Sequence, residues 1–181
     1  MKSKGLSNII FISLSAALTA ICAYISIPAV IPFTMQTFAV FFALNFLGAK
    51  RGTLCILLYL AIGAIGLPVY SNGGAGIGVL FGATGGYMMG WVLAGLAMWL
   101  LERLIGRAVW AQAVSMLIGL TISYICGATY FMLVFVDAEG TSGIWQVLLT
   151  CIVPFIIPDL IKLALALFLG IRLRKILSKV Q

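Results

Sequence analysis

The feature that most constrains this chain is a succession of apolar runs whose interiors almost exclude charge. Residues 8–27, 33–47, 53–67, 81–101, 109–136 and 144–169 are continuous apolar stretches, not alternating ones. A helix crossing a bilayer needs about 20 predominantly apolar residues, so six of them would use about 120 and leave the remainder for loops and ends. A membrane β-barrel would instead alternate apolar and polar residues along each strand. The chain is 64% hydrophobic and 8% charged, whereas a soluble domain carries about 25% charged residues. Too few charges remain to cover a water-facing surface, which excludes a soluble enzyme, a nucleic-acid module and a disordered chain. The expected fold is an all-α integral membrane protein, a single domain over residues 1–181 built as a bundle of six transmembrane helices. The first run ends at Pro28 and Pro32, which break helices. It lacks a small-residue cleavage site leading into a soluble domain and reads as a retained helix.

The basic residues predict the orientation. Lys2 and Lys4 precede the first run, Lys50 and Arg51 separate the second from the third, and Arg103 and Arg107 separate the fourth from the fifth. Arg172, Arg174, Lys175 and Lys179 follow the sixth, so ten of the 11 Lys and Arg lie at even-numbered boundaries. The intervening loops 28–32, 68–80 and 137–143 carry none, and the last holds Asp137 and Glu139. Cytoplasmic loops are enriched in Lys and Arg, which places both termini in the cytoplasm and the protein in the cell membrane as a multi-pass chain. The second and third runs are short enough for a re-entrant hairpin. That arrangement would put Lys50 and Arg51 inside the bilayer at several kcal/mol, so six spans are preferred. The net charge of +7 therefore reports orientation, not nucleic acid. The chain has no histidine, hence neither the commonest general base nor a frequent metal ligand. Cys22, Cys55, Cys126 and Cys151 all sit inside apolar runs with no CxxC pair, and read as small core residues. No metal and no cofactor are expected.

Two charges escape this pattern. Asp159 and Lys162 lie within the sixth run, three residues apart, on one face of a helix. An intramembrane charge costs about 2.5–3.5 kcal/mol on insertion scales. The pair is either a mutually neutralising device that pins helix packing or, the preferred reading, a polar substrate site facing the bundle interior. Pro154 and Pro158 precede it, removing N–H donors and freeing carbonyls. A helix restarting at Pro158 would place Asp159 beside a new N-terminus.

Residues 63–90 hold ten of the 20 glycines, flanked by Tyr70, Phe81 and Tyr87. Glycine allows close backbone approach, so the stretch reads as a ligand-binding loop or lid on the outer side, or as a flexible loop followed by tight helix packing. Thr34, Gln36 and Thr37 bring polar groups to the start of the second run, as helix caps or as ligand contacts. In the first run Ser13, Ala16, Ala17, Ala20 and Ala23 form a small-residue stripe, and Ala16 with Ala20 makes a small-xxx-small pair. It serves either packing within the bundle or docking of a partner membrane protein. No GxxxxGK[ST] phosphate loop, GxSxG elbow or second buried acid for an intramembrane protease is present.

These residues resemble the BioY family, the biotin-specific substrate-capture (S) components of energy-coupling-factor (ECF) transporters. The resemblance covers about residues 8–172 and rests on four stretches: Pro32-Phe33-Thr34-Met35-Gln36, Gly66-Leu67-Pro68-Val69-Tyr70, Gly82-Ala83-Thr84-Gly85-Gly86-Tyr87, and the segment from Pro154-Phe155 to Asp159 and Lys162. Ala83 stands where the family pattern has proline, and Pro158 where it has glycine. The resemblance implies a non-enzymatic six-helix protein that captures biotin from outside, with a transmembrane coupling (T) component and two cytoplasmic ATP-binding subunits as partners, and Ala16 and Ala20 facing the T component. It also implies roles at the site. Lys162 would neutralise the biotin carboxylate or donate to the urea carbonyl, and Asp159 would accept a urea N–H. Asn72 and the amides around Gly82, Thr84, Gly85 and Gly86 would hold the other polar end, beside Gln36. Phe33, Phe81, Tyr87 and Phe155 would line the ring. The competing expectations are a stand-alone secondary transporter of a small carboxylate-bearing solute, coupled to a proton through Asp159, and a membrane enzyme acting on lipid.

Overall fold

The computed structural model describes residues 2–136 and 143–180. Asp137 and Glu139, on which part of the expected orientation rests, lie outside the described residues. The chain runs α1 (Lys2–Tyr24), a two-residue antiparallel hairpin β1 (Ser26–Ile27) and β2 (Phe33–Thr34), α2 (Gln36–Leu47) and α3 (Ala49–Ala64). Then come a short turn α4 (Ile77–Leu80), α5 (Gly85–Ile105), α6 (Val109–Phe131) ending in a π-helical turn Met132–Val136, α7 (Ile144–Cys151) and α8 (Val153–Val180).

Four segments are long and apolar enough to cross a bilayer: Gly5–Tyr24, Gly85–Ile105, Val109–Val134 and Trp145–Ile176. Only 22% to 33% of each apolar window is buried inside the bundle. The rest is an apolar outer surface, with Leu6, Ile9, Ile10, Leu14 and Ile21 of α1 all exposed. A helix of a soluble protein would turn polar residues outward at those positions. The two short runs form α2, 12 residues long, and α3, 16 residues long. At 1.5 Å per residue they rise about 18 and 24 Å, short of the ~30 Å hydrocarbon core. They are joined by Gly48 alone, at φ +87°. Gly52 lets them fold back on each other, because a Cβ there would lie 2.5 Å from the Leu44 Cα.

α2 is the centre of the molecule. Ala39, Val40, Phe41 and Ala43 have no exposed surface, as expected of a helix that is apolar all round. It packs between α1, α3 and α8. The other close pair is α5 with α6, and glycines set its spacing. A Cβ on Gly86 would meet the Tyr130 Cβ at 2.4 Å, and one on Gly90 the Ser123 Cα at 2.8 Å. Small residues at such positions let helix backbones approach in a membrane, where no hydrophobic drive brings helices together.

The sixth run departs from expectation. It is two helices, broken at Ile152 (φ −126°, ψ −57°), and α8 continues through Pro158 without restarting. Pro154 sits in the first turn of α8, where a missing N–H leaves no helical partner unsatisfied. Asp159 is therefore within the second turn of α8, not beside a new N-terminus. α3 also begins earlier than residue 53, so Lys50 and Arg51 occupy its first turn, and the fourth long helix begins at Gly85 rather than at residue 81.

The α5–α6 contact predicts an asymmetry between glycines. Gly90→Ile should overpack it at about 1–3 kcal/mol, lowering the melting temperature of the detergent-purified protein. Gly78→Ala, at a position with nothing within 4 Å of the added Cβ, should leave that temperature unchanged.

Candidate binding site

Asp159 and Lys162 point into the bundle, their side chains 4% and 5% exposed, with Lys162 Nζ 2.8 Å from Asp159 Oδ1. α8 supplies both because residues three apart share a helix face. The second carboxylate oxygen, Oδ2, accepts a hydrogen bond of 2.8 Å from the Tyr124 hydroxyl of α6. Lys162 also donates to the Thr34 carbonyl oxygen of β2 at 2.7 Å, and its Nζ stands 4.0 Å from the centroid of the Phe33 ring. Phe33 in turn stacks on Phe155, ring centroids 5.9 Å apart. Both charges are thus desolvated and fully engaged, the condition under which a buried ion pair is tolerable.

Beside the pair lies a cavity of about 50 Å³ reached from α2, α5, α6, α8 and both loops that follow α1 and α3. Gln36, Thr84, Tyr87, Phe155, Asp159 and Lys162 line it, together with Trp91, Ser123, Tyr124 and Ser71. Its volume holds only a few waters, so a larger guest requires its walls to part.

The structure thus brings together six of the twelve expected site residues at the cavity wall. Phe33 touches Lys162 and Phe155 without lining the cavity. Phe81 is 65% exposed, its carbonyl accepting from the Tyr130 hydroxyl at 2.9 Å. Gly85 and Gly86 serve backbone approach: a Cβ on Gly85 would be 1.9 Å from the Leu80 carbonyl oxygen. Gly82 lies in the turn after α4, off the wall. Asn72 adopts φ +56° in the turn Ser71–Gly73, and its Oδ1 accepts from Ser26 Oγ at 2.7 Å. That bond ties two loops together. On α1, Ala16 is 3% exposed and belongs to the central core, with Ala20 packed against it. Their small-residue pair therefore faces the bundle, and Ser13 and Ala17 are the small residues on the exposed face.

Tyr124, Trp91 and Ser123 were not singled out from the sequence. Ser123-Tyr124 is a polar pair in the middle of an apolar run, and that interruption was the available signal. Tyr87 also has a second task. Its hydroxyl donates to the Cys151 carbonyl at 2.5 Å, satisfying an acceptor exposed by the break between α7 and α8.

A family model described as the BioY family matches residues 1–179. The chain belongs to the BioY family. It is 40% identical over 161 residues to the "Biotin transporter BioY" of Thermotoga maritima, spanning 88% of this chain and 91% of that one. It is 32% identical over 181 residues to the "Biotin transporter BioY2" of Lactococcus lactis subsp. cremoris, spanning 98% and 96%. A crystal structure of the S-component for biotin from an ECF-type ABC transporter shares its fold, with a TM-score of 0.84 at 24% identity over 97% of this chain and 94% of that one. These relatives are transporters rather than enzymes, and this BioY-family chain is a multi-pass membrane protein.

The ion pair yields a double-mutant cycle. Lys162→Leu should strand a buried carboxylate at about 3–5 kcal/mol, while Asp159→Leu with Lys162→Leu should recover most of that stability. Thermal unfolding of the wild type, the Lys162→Leu and Asp159→Leu single variants and the double variant measures both effects.

Proposed function

We propose that this chain is the biotin-binding S component of an ECF-type uptake system, a single six-span domain with both termini in the cytoplasm. The observation that carries the reading is the desolvated Asp159–Lys162 pair at the wall of an interior cavity, in a BioY-family chain. Biotin presents a carboxylate, a cyclic urea with donors and an acceptor, and an apolar bicyclic ring. Lys162 would meet an oxygen of either polar end, and Asp159 a urea N–H. Gln36 and Thr84 add polar contacts, and Tyr87, Trp91 and Phe155 offer ring faces to the apolar body. The structure supports no direct contact for Phe81, Gly82, Gly85 or Gly86, and Asn72 would come within reach only if its loop moved.

The chain has no phosphate loop for ATP. Energy would come from two cytoplasmic ATP-binding subunits through a T component, packing along α1 where Ser13 and Ala17 keep the exposed face shallow. α2 and α3 would complete six spans, with the adjoining loops covering the remaining depth. Cycling of Asp159 as a lone proton carrier is not favoured, because both its oxygens already accept hydrogen bonds.

Purified protein in lipid nanodiscs should bind biotin tightly by calorimetry. Lys162→Ala should weaken binding at least about 100-fold, the scale of losing a charge-assisted hydrogen bond in a dry site. Absence of binding by the wild type would reject the substrate, and equal binding by both would reject the role of Lys162. Uptake into liposomes should need ATP and the added subunits, and should survive collapse of a proton gradient. The orientation has its own check: in a background without the native cysteines, Val30→Cys should react with an impermeant maleimide on intact cells, and Lys50→Cys only after permeabilisation.

A further inference from the structure

At the end of the bundle away from the cavity the charges do not balance. Lys50, Arg51, Arg103, Arg107, Arg172 and Arg174 gather there, and among the described residues Glu102 is the acid at that end. Its carboxylate is already taken by Arg107 at 3.2 Å and by the Ala49 N–H at 2.8 Å. Asp159 is held by Lys162 at the cavity. Lys50, Arg51 and Arg103 are exposed and make no ion pair among the described residues. Their counter-charge has to come from outside the protein.

Two of these cations are nevertheless held in place. Lys50 Nζ stands 5.5 Å and Arg103 Cζ 4.6 Å from the centroid of the Trp99 ring. Trp99 is half-buried and packs on the central core, so its indole is a fixed support. An aromatic face attracts a cation, but two cations drawn to one ring repel each other, and an anion between them removes that repulsion. The first turn of α3 adds to the positive field, since the N–H groups of a helix start lack helical partners.

The position of the two cations on their helices names the anion. On α3 the exposed Leu54 and Leu57 follow Lys50 on one face, and on α5 the exposed Leu93, Leu96 and Leu100 lead to Arg103. α3 and α5 lie against each other, because a Cβ on Gly95 would stand 2.5 Å from Thr53 Oγ1. Each cation thus ends a leucine stripe, on adjoining helices. Leucines in a bilayer meet acyl chains whatever the lipid, and the cations choose the headgroup. A zwitterionic headgroup brings its own cation and a soluble anion has no use for the leucines. We propose that Lys50, Arg103 and Trp99 form a site for the phosphate of an anionic phospholipid, whose acyl chains lie along the leucine stripes of α3 and α5.

Native mass spectrometry of the full-length protein in detergent, titrated with phosphatidylglycerol or phosphatidylcholine of the same chains, tests this. The wild type should bind its first phosphatidylglycerol about 30-fold more tightly than phosphatidylcholine, the scale of two cations at an anionic surface. That margin should shrink as ammonium acetate is raised. Lys50→Gln with Arg103→Gln should bring the two lipids level. Arg172→Gln with Lys175→Gln, which removes the same net charge from α8, should keep most of the preference. Level binding of the two lipids by the wild type overturns the site. A preference that survives in Lys50→Gln with Arg103→Gln, or falls equally in both double variants, overturns its placement at Trp99. Release of phosphatidylglycerol by millimolar inorganic phosphate would make the ligand a soluble anion and overturns the lipid assignment.

Discussion

The molecule is organised around one ion pair that has no business in hydrocarbon. Asp159 and Lys162 are at most 5% exposed, and each would cost several kcal/mol unpaired in the membrane. Pairing alone does not suffice, since desolvation of two ions can exceed their attraction. The rest of the site therefore reads as the set of groups that complete their solvation: the Tyr124 hydroxyl on one carboxylate oxygen, the Thr34 carbonyl on the ammonium, and the Phe33 face beside it. These groups come from α6 and β2 while the pair itself stands on α8, so satisfying the pair also fixes how the hairpin after α1 and α6 sit against α8.

Much of this was legible in the sequence, and the part that was not has a physical reason. Lys162 and Asp159 stood out because charge in an apolar run is costly and their i, i+3 spacing put them on one face. Gln36 and Thr34 stand out as polar residues at the start of an apolar run, though spacing does not decide between helix caps and ligand contacts. In the structure Met35 is the N-cap of α2 and makes no side-chain cap bond, the Thr34 hydroxyl accepts from the Gln36 amide, and Gln36 lines the cavity wall. Tyr124 was hidden because a tyrosine in a membrane helix carries no charge to give it away, and its role exists only once α6 and α8 are set side by side. The Pro154–Pro158 pair suggests a restart at Pro158, but the helix breaks before both prolines. A proline near a helix start costs little, and the chain breaks at Ile152, where the Cys151 carbonyl finds the Tyr87 hydroxyl.

The glycines teach the converse. Their density between residues 63 and 90 suggests a ligand loop, because glycine exposes backbone amides, or a flexible loop followed by tight helix packing. In the structure Gly86 and Gly90 are spent on the α5–α6 contact, Gly85 on the turn leading into it, and Gly63 on the Tyr70 ring, 2.1 Å from where its Cβ would be. The stretch contributes Ser71, Thr84, Tyr87 and Met88 to the cavity wall instead, and the Asn72 side chain ties its loop to Ser26. In hydrocarbon, where helices associate by close packing, glycine is as much a packing residue as a hinge.

The two ends of the bundle are fastened by different chemistry, and that difference bears on how it works. At the end carrying Lys50 and Arg107, charged and amide side chains from α2, α5, α6, α8 and the α5–α6 loop interlock. Glu102 pairs with Arg107 at 3.2 Å and accepts from the Ala49 N–H at 2.8 Å. Arg107 donates to the Asn45 carbonyl at 3.0 Å, while Asn45 and Arg174 both donate to Gln112 Oε1. A carboxylate and two guanidiniums sharing partners make a network that no single break dissolves. The opposite end is fastened mainly by single hydroxyls on backbone carbonyls: Tyr24 to Pro68 and Tyr130 to Phe81 in exposed positions, and the buried Tyr59, which also accepts from Gln36, to Val69. Each of the two exposed bonds is worth about 1 kcal/mol net, because water can replace it. If the Asp159–Lys162 pair receives the solute, as proposed, that solute meets a cover that yields bond by bond on one side and a cross-linked floor on the other. That is the asymmetry required of a protein that captures a solute from one face and holds it without letting it through unaided.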